Sequence, residues 1–447
     1  MKRLVAIVLI AVMCIALFGC SNSTGGNSNN STTKSAETTG AANTTAKASE
    51  TEKSKPITIS FWNGWTGADG EILTEYVDKF NKVNPYNITV EMDINAEFLT
   101  KIAAAFAGGS APDMILGASN FKDQYTDYLT DMNELFSATA LKKEDWMSNY
   151  VDLCTINNKL LVLPFQVTGR FMYWNKDLFK AAGLDPEKGP STYDEWAKWA
   201  ALITKEDANV YGSGVPYGGI YSTVHLIQRM GGLMIDYDQS KKLVPRFKDN
   251  KGYAYFLNWL NGMIKSGDNP KETDTDSMMK AGQLGITISG AWLSSGLEQA
   301  GINYGVSQLP YGDAGPQNPC SIAGYCVTTS ASEEAKRAAY RFIEWWYKGY
   351  ADTETTGILN WSLTCGFPSF YLPAINDPRY QASKKLAAMT NTDKNANTTY
   401  LAPAEFTQTF QLANEVAQIM IEAVISGGKT PDKALEEAQT KAATFIK

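Results

Sequence analysis

From Pro56 onward, short apolar runs alternate with amphipathic runs of helical spacing, each divided from the next by Gly, Pro or Asn. Ile57-Thr58-Ile59-Ser60-Phe61-Trp62 reads as a strand and Asn63-Gly64-Trp65-Thr66-Gly67 as a loop. Ile72, Leu73, Tyr76, Val77 and Phe80 then fall on one face of a helix. Asn84-Pro85 breaks that helix, and Ile88–Met92 reads as a strand. A helix around 97–107 leads through Gly108-Gly109-Ser110-Ala111-Pro112-Asp113 to the strand Met114-Ile115-Leu116. Strand and helix in this rhythm predict α/β layers with a mainly parallel sheet. The middle of the chain repeats the pattern. Thr192-x-x-Glu195 is a capping box opening a helix to about Lys205. A helix runs from about Tyr253 to Lys265, and Leu284–Ile288 is a buried strand bounded by glycines. Ser332 caps a helix to about Lys348, and Thr430-Pro431 starts the last one. At 447 residues the chain exceeds one ordinary core, so two domains are expected.

The formal net charge of −7 argues against a nucleic-acid partner, because no basic field exists to offset phosphates. The N-terminus carries its own signal. Lys2 and Arg3 precede an apolar run from Leu4 to Phe18, which is a secretory leader too short to span a membrane comfortably. It ends in Leu17-Phe18-Gly19-Cys20, which resembles the lipobox of bacterial lipoproteins, in which the cysteine is acylated. Residues 1–19 are therefore expected to be a signal peptide. Residues 20–55, almost without apolar side chains beyond Ala, are expected to be a lipidated Cys20 and a flexible tether. Location outside the cytoplasm, anchored to the cell membrane, follows. Cys154, Cys320, Cys326 and Cys365 then remain, and sequence does not choose among free thiols and their possible pairings. Zinc is not expected, since there is no C-x-x-C pair and His225 is the single histidine.

No G-x-S-x-G, H-E-x-x-H or P-loop pattern occurs, so the chain is not expected to be an enzyme and no cofactor is implied. Gly212–Gly219 is glycine-rich but reads as a plain turn. Aromatic residues at strand ends and loops stand out instead. Trp62 and Trp65 lie where the first strand meets its loop, and Phe165-Gln166 follows an apolar run. Tyr221 lies in a Gly/Tyr-rich loop, Trp292 just after the strand 284–288, and Trp361 in Asn-Trp-Ser-Leu-Thr. Ligands of open α/β sheets bind beyond the carboxyl ends of strands. Flat rings combined with amides and hydroxyls suit a sugar, which has apolar C–H faces and a polar rim.

Several segments, in order, carry a family resemblance. They are Phe61-Trp62-Asn63-Gly64-Trp65-Thr66-Gly67, Ala111-Pro112-Asp113-Met114-Ile115, Leu163-Pro164-Phe165, and Met172-Tyr173-Trp174-Asn175-Lys176-Asp177. Ile286-Thr287-Ile288-Ser289-Gly290-Ala291-Trp292 and the ending Gly428-Lys429-Thr430-Pro431-Asp432 complete them. Together they resemble the family-1 extracellular solute-binding proteins, which include maltose-binding and glycerol-3-phosphate-binding proteins of ABC importers. The resemblance implies two α/β lobes of periplasmic-binding-protein type, joined by a hinge and closing on a ligand. The expected division is 56–167 plus 286–329 for lobe 1, and 168–285 plus 330–447 for lobe 2.

It also implies ligand contacts at Asn63, Trp65, Thr66, Asn120, Gln166, Thr168, Arg170, Tyr221 and Trp292. Trp62, Phe165 and Trp361 join them from the reading of aromatic placement. Thr168 stands where maltose-binding proteins carry an acidic residue, and Trp65-Thr66 replaces their charged pair. An oligosaccharide or a less polar glycoside is therefore expected in place of maltose. Implied partners are this sugar and the permease subunits of an ABC importer, with the chain itself a monomer. A secreted carbohydrate-active enzyme and a binding subunit for a polyol phosphate, peptide or polyamine are the alternatives.

Overall fold

The strands that organise the chain are β1 (Ile57–Asn63), β2 (Ile88–Ile94), β3 (Met114–Ala118), β4 (Leu163–Thr168), β5 (Phe171–Asn175), β6 (Tyr211–Gly214), β7 (Leu284–Ser289), β8 (Tyr304–Gln308) and β9 (Ser321–Val327). They form two sheets, of order β2-β1-β3-β9-β4 and β8-β5-β7-β6. The computed structural model describes residues 55–66, 68–271, 273–312, 321–349, 355–390, 402, 403, 406 and 408–446. Cys20, the expected tether before Lys55, Gly67 and Cys320 lie outside the described residues.

The helices expected from periodicity form where predicted. They are α1 (Ala68–Val83), α2 (Phe98–Gly108), α3 (Tyr193–Ile203), α5 (Lys251–Lys265), α7 (Glu333–Lys348) and α9 (Pro431–Ala442). Between them lie α4 (Ile220–Arg229) and, where periodicity gives no helix, α6 (Thr275–Lys280) and α8 (Gly357–Cys365). At α3 the Thr192 hydroxyl accepts from the Glu195 N–H, as the capping box requires, while the Glu195 carboxylate accepts from Ser191 N–H at 2.8 Å. Among the described residues no helix is long and apolar enough to cross a membrane.

The first sheet is mixed, with two parallel and two antiparallel pairings. β1 pairs with β2 in parallel over seven residues, Ile57↔Ile88 to Asn63↔Ile94, and also with β3, while β9 runs antiparallel between β3 and β4. Burial alternates along the second half of β1, placing Phe61 and Asn63 in the interior and Trp62 on the other face. The second sheet departs from the expected parallel pattern. β5 pairs antiparallel with both β7 and β8, and only β6–β7 is parallel. β5 and β7 are buried at every residue because each is flanked by strands in the middle of that sheet.

The pairing also corrects the expected division of the chain. β7 and β8 were expected in the first lobe as part of 286–329, yet both hydrogen-bond within the second sheet. Only β9 returns to the first. Helix α7, expected in the second lobe, covers the first sheet instead, with Phe342 6.1 Å from Phe61 between ring centroids. The final helices, including α9, pack with α5 in the second core. Apolar strands and helices carry no address for one sheet or the other, so local pattern cannot assign them. The Gly212–Gly219 segment is likewise corrected, since its first half is the buried strand β6 beside β7.

Ala111-Pro112-Asp113 works as a clasp between β1 and β3. The Asp113 carboxylate accepts from Ser60 N–H and Ser60 Oγ, both at 2.8 Å, while Asp113 N–H donates to Ser60 Oγ at 2.9 Å. Thr328 N–H donates to Asp113 O at 3.0 Å, which ties in the end of β9. Among the described residues Cys154, Cys326 and Cys365 are free thiols. Burial pushes the Cys365 thiol up to about 12, and Cys326 higher still.

Asp113→Ala strands the Ser60 donors in a part-buried site and should cost about 1–3 kcal/mol of stability. Urea denaturation followed by far-UV circular dichroism measures it. An unchanged midpoint would refute the clasp.

Candidate functional site

Gly169 and Arg170 alone separate β4 from β5, so the chain steps from one sheet to the other in two residues. The three steps from Thr168 to Phe171 span at most about 11 Å, and the sheet edges at this crossing must therefore adjoin. On the first sheet that edge holds the ends of β1, β3 and β4 and the start of β9, since Thr168 pairs with Ser321 and Ala118 with Ala323. On the second it holds Phe171, Ser289 and Gln308, because Ser289 and Gln308 both pair with Phe171. The carboxyl ends of β1, β3, β4, β6 and β7 thus converge on one crevice, the usual place for a ligand.

Trp65 rises from the first-sheet edge on the loop after β1. Asn63, fully buried, shapes that loop by accepting from Trp65 N–H at 2.9 Å. The half-buried Trp65 ring stacks on Trp361 at 5.4 Å and 22°, and packs on Phe165 at 5.5 Å. Phe165 and Trp361 also touch each other at 5.2 Å, and Phe367 stacks behind Trp361 at 6.2 Å. The Trp361 indole N–H donates to Gln166 Oε1 at 2.9 Å, so the buried amide and the buried ring satisfy one another. Each ring pair contributes on the order of 0.5–1.5 kcal/mol beyond its buried area.

Trp292 rises from the opposite edge, three residues past β7, and is 41% exposed. Its indole N–H donates to Asp276 Oδ2 at 3.0 Å, and the Arg170 guanidinium lies 4.8 Å from its ring centroid. Beneath it, the Tyr173 hydroxyl donates to Gly290 O at 3.0 Å. Burial pushes that hydroxyl far above its ordinary range, so it remains a neutral donor.

The structure therefore gathers the expected residues into two groups, Asn63–Trp65–Phe165–Gln166–Trp361 and Arg170–Trp292. Thr66 and Asn120 are exposed at the first-sheet edge, and Thr168 is half-buried there. Trp62 points to the other face of β1, under the Lys101 ammonium at 4.1 Å. Two expected ligand contacts are corrected, since Phe165 and Trp361 are each only 1% exposed. They back Trp65 from inside the core, and Trp361 sits on helix α8 where a loop was expected. Tyr221 also lies on a helix, α4, and its side chain is outside the described residues. Asp276 and Tyr173 escaped the sequence reading because they are 16 and 119 residues from Trp292 along the chain. Among the described residues no group of His, Cys, Asp and Glu is placed to hold a metal ion.

Comparison with known proteins adds three findings. The family model for bacterial extracellular solute-binding proteins matches residues 64–348. The sn-glycerol-3-phosphate-binding periplasmic protein UgpB of Escherichia coli (strain K12) is 26% identical over 423 residues, spanning 85% of this chain and 90% of that protein. Two solved structures share the fold at a TM-score of 0.72: the sugar-binding protein MalE from Xanthomonas citri (19% identity, 87% of this chain, 97% of that one), and UgpB from Mycobacterium tuberculosis in complex with glycerophosphocholine (18% identity, 88% and 99%). These likenesses establish the two-lobe α/β architecture.

Trp361→Phe keeps the stack but leaves the Gln166 amide oxygen without its donor. Thermal denaturation should show a loss of about 1–2 kcal/mol. A variant as stable as wild type would mean that this bond contributes nothing.

Proposed function

We propose that this chain, which belongs to the bacterial extracellular solute-binding proteins, captures a sugar, in particular an oligosaccharide, between its two sheet edges and passes it to the permease of an ABC importer. The observation that carries the reading is the pair of tryptophans that follow β1 and β7 at the two sheet edges joined by the Gly169-Arg170 step. Trp65 has buried rings behind it, and Trp292 is partly exposed. A pyranose offers an apolar C–H face to each ring, while its hydroxyls find Thr66, Asn120 and Thr168 at the first edge. Closure of the lobes about the crossings would exclude water and strengthen those hydrogen bonds. No chemistry is required of the chain, and it acts as a carrier.

The family works outside the cytoplasm, and the leader at residues 1–19 agrees with that location. Cys20 in this reading is acylated and the following tether holds the globular part near the membrane. Single-chain closure needs no second copy, so the carrier is a monomer.

A polyol phosphate is the competing ligand class, favoured by Arg170 at the crevice and by the name of the Escherichia coli relative.

A thermal-shift screen separates the two classes, since any ligand of the native state raises the melting temperature with its concentration. Stabilisation is expected from oligosaccharides such as maltotriose or cellotriose. Stabilisation by sn-glycerol 3-phosphate alone would overturn the sugar reading. For a sugar that binds, Trp65→Ala and Trp292→Ala should each weaken affinity about 10- to 100-fold by calorimetry. Cys20→Ala should move the protein from the membrane to the soluble fraction in the expressing cell, and an unaltered membrane fraction would exclude the anchor.

A further inference from the structure

The setting of Trp292 is more elaborate than packing requires. Its ring folds back over Gly290, where a Cβ would lie 2.0 Å from the indole Cζ3 and 2.2 Å from Cη2. Only glycine leaves that space. The peptide beneath is held by Tyr173, whose hydroxyl donates to Gly290 O at 3.0 Å and lies 3.1 Å from Ser294 Oγ. The edge of the ring is held by Asp276, on the first turn of α6, through the indole N–H at 3.0 Å. Asp274, the cap of α6, accepts from Ser277 N–H at 3.1 Å and steadies that turn. Arg170, in the two-residue crossing itself, lies over the ring at 4.8 Å.

An indole that is 41% exposed ordinarily keeps rotamer freedom, and burying it against a ligand would cost that freedom. Here the cost is met before any ligand arrives, which is the condition for tight stacking. We infer that Asp276 is a positioning residue that presets Trp292 as the stacking platform of the second lobe, with Gly290 supplying the space into which the ring folds. This rests on the reading of Trp292 as a sugar-stacking ring. Asp276 touches no ligand in this account and acts only through the indole. The requirement is for an acceptor at that point, not for charge, so asparagine should serve where alanine fails.

The test uses the full chain, isotopically labelled, with the Trp292 indole N–H resonance assigned by its loss in Trp292→Phe. In the ligand-free protein, Asp276→Ala should move that resonance toward the free-indole position and speed its exchange with solvent, while Asp276→Asn leaves it close to wild type. For maltotriose, or whichever oligosaccharide of the panel stabilises wild type, Asp276→Ala should weaken binding about tenfold. Asp276→Asn should restore most of the affinity, which a merely structural lesion would not allow. Gly290→Ala should displace the resonance in the same sense as Asp276→Ala. An unmoved resonance in Asp276→Ala overturns the positioning role whatever the ligand is. A moved resonance with undiminished sugar affinity overturns the preset platform as a contributor to binding. If no sugar binds wild type, the sugar reading fails, and the resonance arm still decides whether Asp276 holds the ring.

Discussion

The two-residue step from Thr168 to Phe171 is the constraint on which the rest of the molecule depends. Because Gly169 and Arg170 cannot separate the sheets, the edges of both sheets are forced to a common crevice. Every loop leaving a carboxyl end at those edges then faces the same space, so residues distant in sequence meet there. The second edge is tied to a neighbouring segment as well. Gln308 accepts from Arg229 Nη2 at 3.0 Å and donates to Met389 O at 2.5 Å. A buried guanidinium fixed in this way ties the edge at Phe171 and Gln308 to its neighbours.

The crevice is built asymmetrically. On the first-sheet side, the partly exposed Trp65 is backed by a dense layer of buried rings, and its orientation follows from packing. On the second-sheet side, Trp292 is held by a hydrogen bond, a cation over its face and a missing Cβ. Close packing and directed polar contacts reach the same end, which is a flat ring held in one orientation. The first device also stabilises the fold, whereas the second contributes mainly to the surface it shapes.

Much of this was legible in the sequence because the signals were local. Periodicity located α1, α2, α3, α5 and α7 within a few residues, and the caps at Thr192, Ser332 and Thr430 each accept the hydrogen bond that their position implies. Trp65 and Trp292 stand out in the sequence because each follows a strand end by a few residues. The failures were all of another kind. Phe165 and Trp361 are expected as ligand contacts, yet both are buried behind Trp65, since burial depends on which elements cover a residue and not on its neighbours in sequence.

The chain by itself determined the α/β class, the order of strands and helices, and the placement of rings at strand ends, because each follows from short-range spacing and backbone preference. Only the tertiary structure decided which sheet each strand joined. β7 and β8 went to the second sheet and α7 to the first through hydrogen bonds and packing between segments more than 100 residues apart. It also decided that Asp276 and Tyr173 would meet at the base of Trp292. Apolar strands pair with any edge of matching register, so the choice rests with the whole assembly and not with a local pattern.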